Sequence, residues 1–368
     1  MLKKLLTCIT GSALCLLFSC KEEAAYSVKV KLDNLNGEDI YAVFEAADMK
    51  SVDTLSYDGT SGFTITQTQA DFRTLTLYFE NRTQWITVYP ESGKNITITG
   101  DILYLPLVKV KGGKINESLS GFREKASALL RERTDLSRQA MDFAQENPNR
   151  IEYTSRLANI NHELCLQAEA FIRKHPHEEA SAILIGEYLS DPDTPLRTDE
   201  FLSLLDPELD DFYVVKELKA AGEKAKRTMT GAKVPDFNVL NINGKPYNRD
   251  SFSNHYFILA FVSMWHDECQ TKELLLDEIM TSFPKDTLDV MLVSLDENPQ
   301  TVRNLVGKDS IRWNIVTDSA GQAIELMDLY NVNMLPQCYL IDKEGNIILK
   351  TENGIELKKV LGKLTGES

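Results

Sequence analysis

The stretch Ser263–Ile279, SMWHDECQTKELLLDEI, decides the fold of the C-terminal third of this chain. It is entered by an unbroken apolar run, YFILAFV at 256–262, of the kind that forms a strand covered on both faces. From Asp267 to about Ser282 the sequence is rich in Glu, Lys and Leu, which predicts a helix. Trp265, His266 and Cys269 therefore fall in the turn between a buried strand and a helix start. Unpaired amides and the helix dipole favour negative charge at such a place.

Further elements extend from this stretch in both directions. GAKVPDF at 231–237 opens the region. LDVMLVSLD at 288–296 predicts a second strand, with a helix near 300–306 after it. AGQAIELMDLY at 320–330 predicts another helix. QCYLIDKEGNIILKT at 337–351 predicts two strands around Lys343-Glu344-Gly345-Asn346, and a closing helix follows. Strand, helix, strand, helix, hairpin, helix describes a parallel crossover with an antiparallel edge.

Residues 231–368 resemble the thioredoxin-like domains of the TlpA and AhpC/TSA, peroxiredoxin-related type that are attached to exported lipoproteins. Trp265 stands where that family has the Trp before its first catalytic cysteine. YNVNMLPQCYLIDKEGNI at 330–347 matches the segment in which a proline leads into the next strand. The resemblance implies that Pro336 is the cis-proline facing the active-site loop. It also implies that Leu335 offers its backbone to an extended peptide, with Trp265 and Met264 beside it.

Family chemistry uses a thiolate at the helix start and a second cysteine one turn later that resolves the mixed disulfide. By the same match His266 occupies the nucleophile position and Cys269 the resolving one. Imidazole forms no disulfide, so a two-thiol cycle at this loop is excluded. Asp267 and Glu268 stand where Gly-Pro is common. As carboxylates they suit a helix start and raise the pKa of a neighbouring thiol. The buried proton-transfer carboxylate of thioredoxin aligns with Ala260. Peroxidase chemistry wants a hydroxyl and an arginine near the thiolate, and the loop offers only Thr271 and Lys272, beyond Cys269.

Two readings follow. In the first, the domain keeps a thioredoxin-like scaffold for binding, without dithiol turnover. In the second, Cys269 acts alone as a thiol-disulfide oxidoreductase or antioxidant-type enzyme. His266 and Cys269 could share a soft metal ion, but two ligands make no closed site, and no metal is assigned. Cys338 sits in the apolar strand CYLI and is expected to point into the core. No phosphate loop or dinucleotide turn appears, so no cofactor is expected.

The N-terminus carries Lys3 and Lys4, then an apolar run ending Leu17-Phe18-Ser19-Cys20. This reads as a signal peptide, 1–19, too short to span a membrane. Its ending resembles the bacterial lipobox, which implies a lipid on Cys20 that holds the protein to a membrane. Lys21-Glu22-Glu23 resembles, weakly, the surface-export signals of Gram-negative lipoproteins. The expected location is the Gram-negative cell envelope, with the outer membrane favoured over the inner and the face left open. Of six cysteines, Cys8 and Cys15 lie in the leader and Cys20 carries lipid, so Cys165, Cys269 and Cys338 remain as thiols. Three thiols are no disulfide framework.

From 20 to 115 short alternating segments such as YSVKVKL, TLTLYF and NITITGD predict an antiparallel β-sandwich-like domain. It resembles the β-rich accessory domain that precedes thioredoxin-like domains in exported lipoproteins. From 116 to 230 the period turns helical, with Leu157, Ile160, Leu164, Ala168 and Phe171 on one stripe. Pro148, Pro176, Pro192 and Pro207 divide this region into several helices. Cys165 falls inside the stripe and reads as a small packing residue.

The chain has 368 residues, 43% of them hydrophobic and 26% charged, which suits a globular protein of two or three units. A net charge of −15 repels phosphate backbones and anionic surfaces, so nucleic acid is not an expected partner.

Overall fold

The computed structural model describes residues 26–59, 62–67, 72–79, 83–142, 150–263, 275–283, 287–300, 302 and 314–366. Contacts divide the chain into two compact units, Met1–Leu164 and Cys165–Ser368.

The first unit is built from strands β1 (Tyr26–Asp33), β2 (Glu38–Glu45), β3 (Lys50–Tyr57), β4 (Phe63–Gln67), β5 (Thr74–Phe79), β6 (Gln84–Val88), β7 (Ile96–Asp101) and β8 (Lys109–Lys111). They form two four-stranded sheets, ordered β4-β1-β7-β8 and β3-β2-β5-β6. Alternation does the sorting. In β1, Tyr26, Val28, Val30 and Leu32 are buried while Lys29, Lys31 and Asp33 face water. The inward residues of both sheets form one core that includes Val28, Val30, Phe44, Leu77, Phe79 and Ile98. The sandwich is not antiparallel throughout: β1 and β7 run parallel, Val28 opposite Ile96 and Asp33 opposite Asp101. Alternation assigns each residue a face but cannot choose the neighbouring strand.

Helix α1 (Lys114–Lys125) follows β8. The turn between them needs Gly112, whose φ is +100°; a Cβ there would sit 2.2 Å from the Asn95 carbonyl oxygen. Asn116 of α1 pins the turn. Its side chain accepts from the Tyr89 amide (2.9 Å) and donates to the carbonyls of Tyr89 (2.7 Å) and Gly112 (2.8 Å). Ser120 covers the free edge of β8, accepting from the Val110 amide and donating to its carbonyl. Helices α2 (Ser127–Asp142) and α3 (Arg150–Lys174) come next. Ile160, Leu164, Ala168 and Ile172 form the buried stripe of α3, close to the one expected, with Phe171 half-buried.

The second unit continues through α4 (Glu179–Leu184), α5 (Pro195–Leu202) and α6 (Tyr213–Lys226). A hairpin of β9 (Asn238–Leu240) and β10 (Pro246–Asn248) precedes β11 (Tyr256–Val262), α7 (Leu276–Ser282), β12 (Leu288–Ser294), β13 (Asn314–Thr317), α8 (Gln322–Leu329), β14 (Gln337–Ile341), β15 (Ile347–Thr351) and α9 (Gly354–Thr365). The main sheet is ordered β13-β12-β11-β14-β15. β11, β12 and β13 are parallel, and β14 and β15 antiparallel. This is the thioredoxin-like fold, as expected. The expected helix near 300–306 lies mostly outside the described residues.

β13, β9 and β10 were not evident from the sequence because each is only three or four residues long. β11 is buried along most of its length, and its alternate side chains enter two separate cores. Ile258, Ala260 and Val262 pack with Leu276, Ile279, Leu357 and Leu361 on one face of the sheet. Phe257, Leu259 and Phe261 pack with Leu326, Tyr330 and Tyr339 on the other. Segment 231–234 covers the outer edge of β15 through hydrogen bonds with Gly345 and Ile347. Ion pairs Lys350–Asp193 (2.7 Å) and Lys224–Asp328 (2.6 Å) tie the helical segment to this domain.

Candidate functional site

The candidate site lies where β11 ends. Register sets its frame: Ala260 is opposite Cys338 and Phe261 opposite Gln337, so the end of β11 meets the start of β14. The Leu335–Pro336 peptide that leads into β14 is cis. Leu335 is half-buried and packs against the cores on both faces of the sheet. Met334, one residue earlier, is 72% exposed. An apolar side chain in water thus stands beside the cis peptide.

Ser263, the first residue after β11, is fully buried, and its hydroxyl has no hydrogen-bond partner among the described residues. Most buried hydroxyls are paired, which makes Ser263 a marker at the strand end. The sequence held a clue to it, a lone polar residue in FVSMW. Beside it, the Val262 carbonyl accepts from the Leu295 amide at 3.1 Å. On the next strand the Ser294 hydroxyl donates to Asp296 at 2.6 Å. Carboxyl ends of parallel strands are the usual place for a site in such sheets.

Trp265, His266 and Cys269 lie outside the described residues, as do Met264, Asp267, Glu268, Thr271, Lys272 and Cys20. After Ser263 the described chain resumes at Leu275, whose φ is +52°, just before α7. Leu276 and Ile279 of α7 share a core with Ala260 and Cys338.

The two described cysteines differ. Cys338 is 1% exposed in the core, the inward orientation expected of it. Cys165 is half-buried rather than fully packed, and its thiol donates to the Tyr188 carbonyl at 2.9 Å. Burial pushes that thiol's pKa up, which opposes thiolate chemistry. On the other face of β11, the Tyr339 hydroxyl donates to the Tyr330 carbonyl (2.7 Å) and the Tyr330 hydroxyl to the Pro235 carbonyl (3.2 Å). Burial pushes both phenols well above their usual range, so they serve as packing groups. No cluster of three metal-ligating side chains occurs among the described residues. A cavity of about 400 Å³ lies at the opposite end of the sheet, where Lys233, Arg249 and Lys343 are balanced by Asp250, Asp342 and Glu344.

With this geometry in place, residues 230–350 match the AhpC/TSA family. The C-terminal region thus has the thioredoxin-like fold and is similar to AhpC/TSA-type domains and to thiol-disulfide oxidoreductases. The thiol-disulfide oxidoreductase ResA of Bacillus thuringiensis is 26% identical over 145 residues, 39% of this chain and 82% of that protein. Among solved structures, a thiol-disulfide oxidoreductase from Bacteroides fragilis is 24% identical over 36% of this chain and 98% of its own, with a TM-score of 0.33. A thioredoxin-like protein from Bacteroides caccae is 20% identical over 63% of this chain and 92% of its own, with a TM-score of 0.42.

Proposed function

We propose that this chain is a lipid-anchored protein of a Gram-negative cell envelope whose thioredoxin-like domain binds a partner instead of cycling a dithiol. One observation carries the reading: the sequence His266-Asp267-Glu268-Cys269 puts imidazole where the resemblance requires the attacking sulfur. Without that sulfur no mixed disulfide forms at the first position. The other thiols are poor substitutes. Cys338 is sealed in the core, and burial raises the Cys165 thiol.

What the domain keeps is a peptide-gripping edge. Leu335 precedes a cis peptide, and its main chain can pair with an extended segment. Exposed Met334 supplies apolar contact beside it, and the family resemblance implies the same role for Trp265 and Met264. The partner is a peptide or protein, with no cofactor, metal or nucleic acid. Lipid on Cys20 holds the chain to the membrane, with the outer membrane favoured.

The names of the relatives favour a second reading, in which Cys269 works alone as a thiol-dependent oxidoreductase. Such a thiol must ionise near neutral pH. Asp267 and Glu268 act against that by like-charge repulsion. Alkylation of the folded chain across pH, compared with Cys269→Ser, tests the choice. A Cys269 inert until unfolding supports the binding reading, and rapid modification near neutral pH overturns it in favour of the enzyme.

A further inference from the structure

The chain as a whole is strongly acidic, but one sheet face in its first unit has the opposite sign. The outward residues of β1, β7 and β8 include Lys29, Lys31, Thr97, Thr99, Lys109 and Lys111, with Ser27 at one end and Asp33 and Asp101 at the other. Register interleaves them: Lys29 opposes Thr97, which opposes Lys111, while Lys31 opposes Thr99, which opposes Lys109. Strands about 4.8 Å apart and side chains repeating every ~7 Å along a strand confine the four ammonium groups' stems to a patch about 10 by 7 Å. All four lysines are exposed. Among the described residues only Lys109 has a carboxylate partner, Glu124 at 3.4 Å. Asp33 and Asp101 sit at one end of the face, away from the start of β1.

Such a face carries an unfavourable concentration of like charge unless an anionic surface meets it. At physiological salt a charge is felt over only about 8–10 Å, so this local patch, not the net charge of the chain, governs what docks there. Position names the occupant. Cys20 precedes Tyr26, the first residue of β1, by six positions. Six residues reach at most about 20 Å. Lys29 and Lys31 belong to that same strand.

We infer that the lysine–threonine face of sheet β4-β1-β7-β8 docks on anionic phospholipid headgroups of the membrane that holds Cys20. The inference rests on the proposed lipid anchor for its choice of occupant. The anchor confines the chain to the membrane, and the face orients the β-unit against it. Threonine hydroxyls between the lysines can donate to phosphate oxygens.

The test uses the chain from residue 20 onward as Cys20→Ser, which keeps every described residue and lacks lipid. Its sedimentation with vesicles of phosphatidylglycerol and phosphatidylethanolamine is compared with pure phosphatidylcholine. Each lysine near an anionic surface contributes on the order of fivefold in partitioning. The K29Q/K31Q/K109Q/K111Q variant is therefore expected to lose at least ~10-fold in binding, while the matching Lys→Arg variant binds as well as the parent. Raising the salt should weaken the parent and leave the Gln variant nearly unchanged.

Should the fourfold variant misfold by circular dichroism, K109Q/K111Q alone is expected to lose about half the logarithmic effect. Equal binding by parent and Gln variants, binding indifferent to salt, or retention on heparin without retention on vesicles would each overturn the proposal. The mass of the N-terminal peptide from cells decides the lipid on Cys20 separately. An unmodified Cys20 sinks the anchor, and the vesicle result still decides the face.

Discussion

Ala260 and Cys338 face one another across the central antiparallel pair of the C-terminal sheet, both sealed from solvent. The family resemblance aligns the first of these positions with a buried proton-transfer carboxylate, and the residue here carries only a methyl group. The second holds a sulfur that reagents in water cannot reach without opening the core. The pair is a packing contact in the core on one face of the sheet.

The pair sets an expectation for thiol accessibility. In the folded chain Cys338 should resist iodoacetamide for as long as the domain stays closed, and Cys165 should react slowly because its thiol is hydrogen-bonded and half-buried. Denaturant should expose both. Mass spectrometry of the labelled peptides checks this, and rapid native labelling of Cys338 would mean that the β11–β14 core opens readily.

A cysteine at position 266 tests the proposed absence of an attacking thiol. His266→Cys recreates a two-cysteine spacing with Cys269 and should raise insulin-disulfide reduction at least tenfold over the parent chain. A folded variant with its introduced thiol exposed and no gain in rate would show that residue 266 does not occupy the attacking position.

Asn116 is 2% exposed and joins Tyr89 to the Gly112 turn by three hydrogen bonds. Asn116→Ala should cost the first unit about 2–3 kcal/mol, because buried backbone groups lose their partner. Asn116→Asp should be at least as damaging, since it replaces two donors with a charge beside two carbonyls. Urea unfolding followed by circular dichroism measures both, and a loss under about 0.5 kcal/mol would mean that water takes over the bonds.

Tyr26 offers the opposite case. Its ring is 1% exposed and its hydroxyl has no partner among the described residues. Tyr26→Phe removes that burial cost and should stabilise the unit by about 1 kcal/mol. Burial pushes the phenol from 10.0 to about 12. Between those values the unfolded chain has released the proton and the folded chain has kept it, so raising pH favours unfolding. The contribution is complete below pH 10 and is lost towards pH 12. The advantage of Tyr26→Phe should therefore grow over that window in pH-dependent melts, and a variant less stable at neutral pH would show that the hydroxyl has a partner.

Much of this protein was legible in its residues one segment at a time. The all-apolar run 256–262 announced a two-sided buried strand, YSVKVKL announced a one-sided one, and the three-and-four spacing from Leu157 to Phe171 announced a helix stripe. These are local consequences of side-chain period, which depends only on neighbours in the chain. The position of the cis peptide at Pro336 was likewise legible from the motif around it. The sequence His266-Asp267-Glu268-Cys269 was likewise readable directly, and it is what the proposed loss of a dithiol rests on.

Tertiary structure decided the pairings. Nothing local makes β1 lie parallel to β7, lets the four-residue β13 complete a sheet, or sets Ala260 against Cys338. Nor could a linear reading foresee that Lys29 and Lys31 would share a face with Lys109 and Lys111, reversing over one patch the sign carried by the whole chain. Register between distant strands is chosen by the collective burial of two faces and the hydrogen bonds between them, and only the folded sheet contains that information.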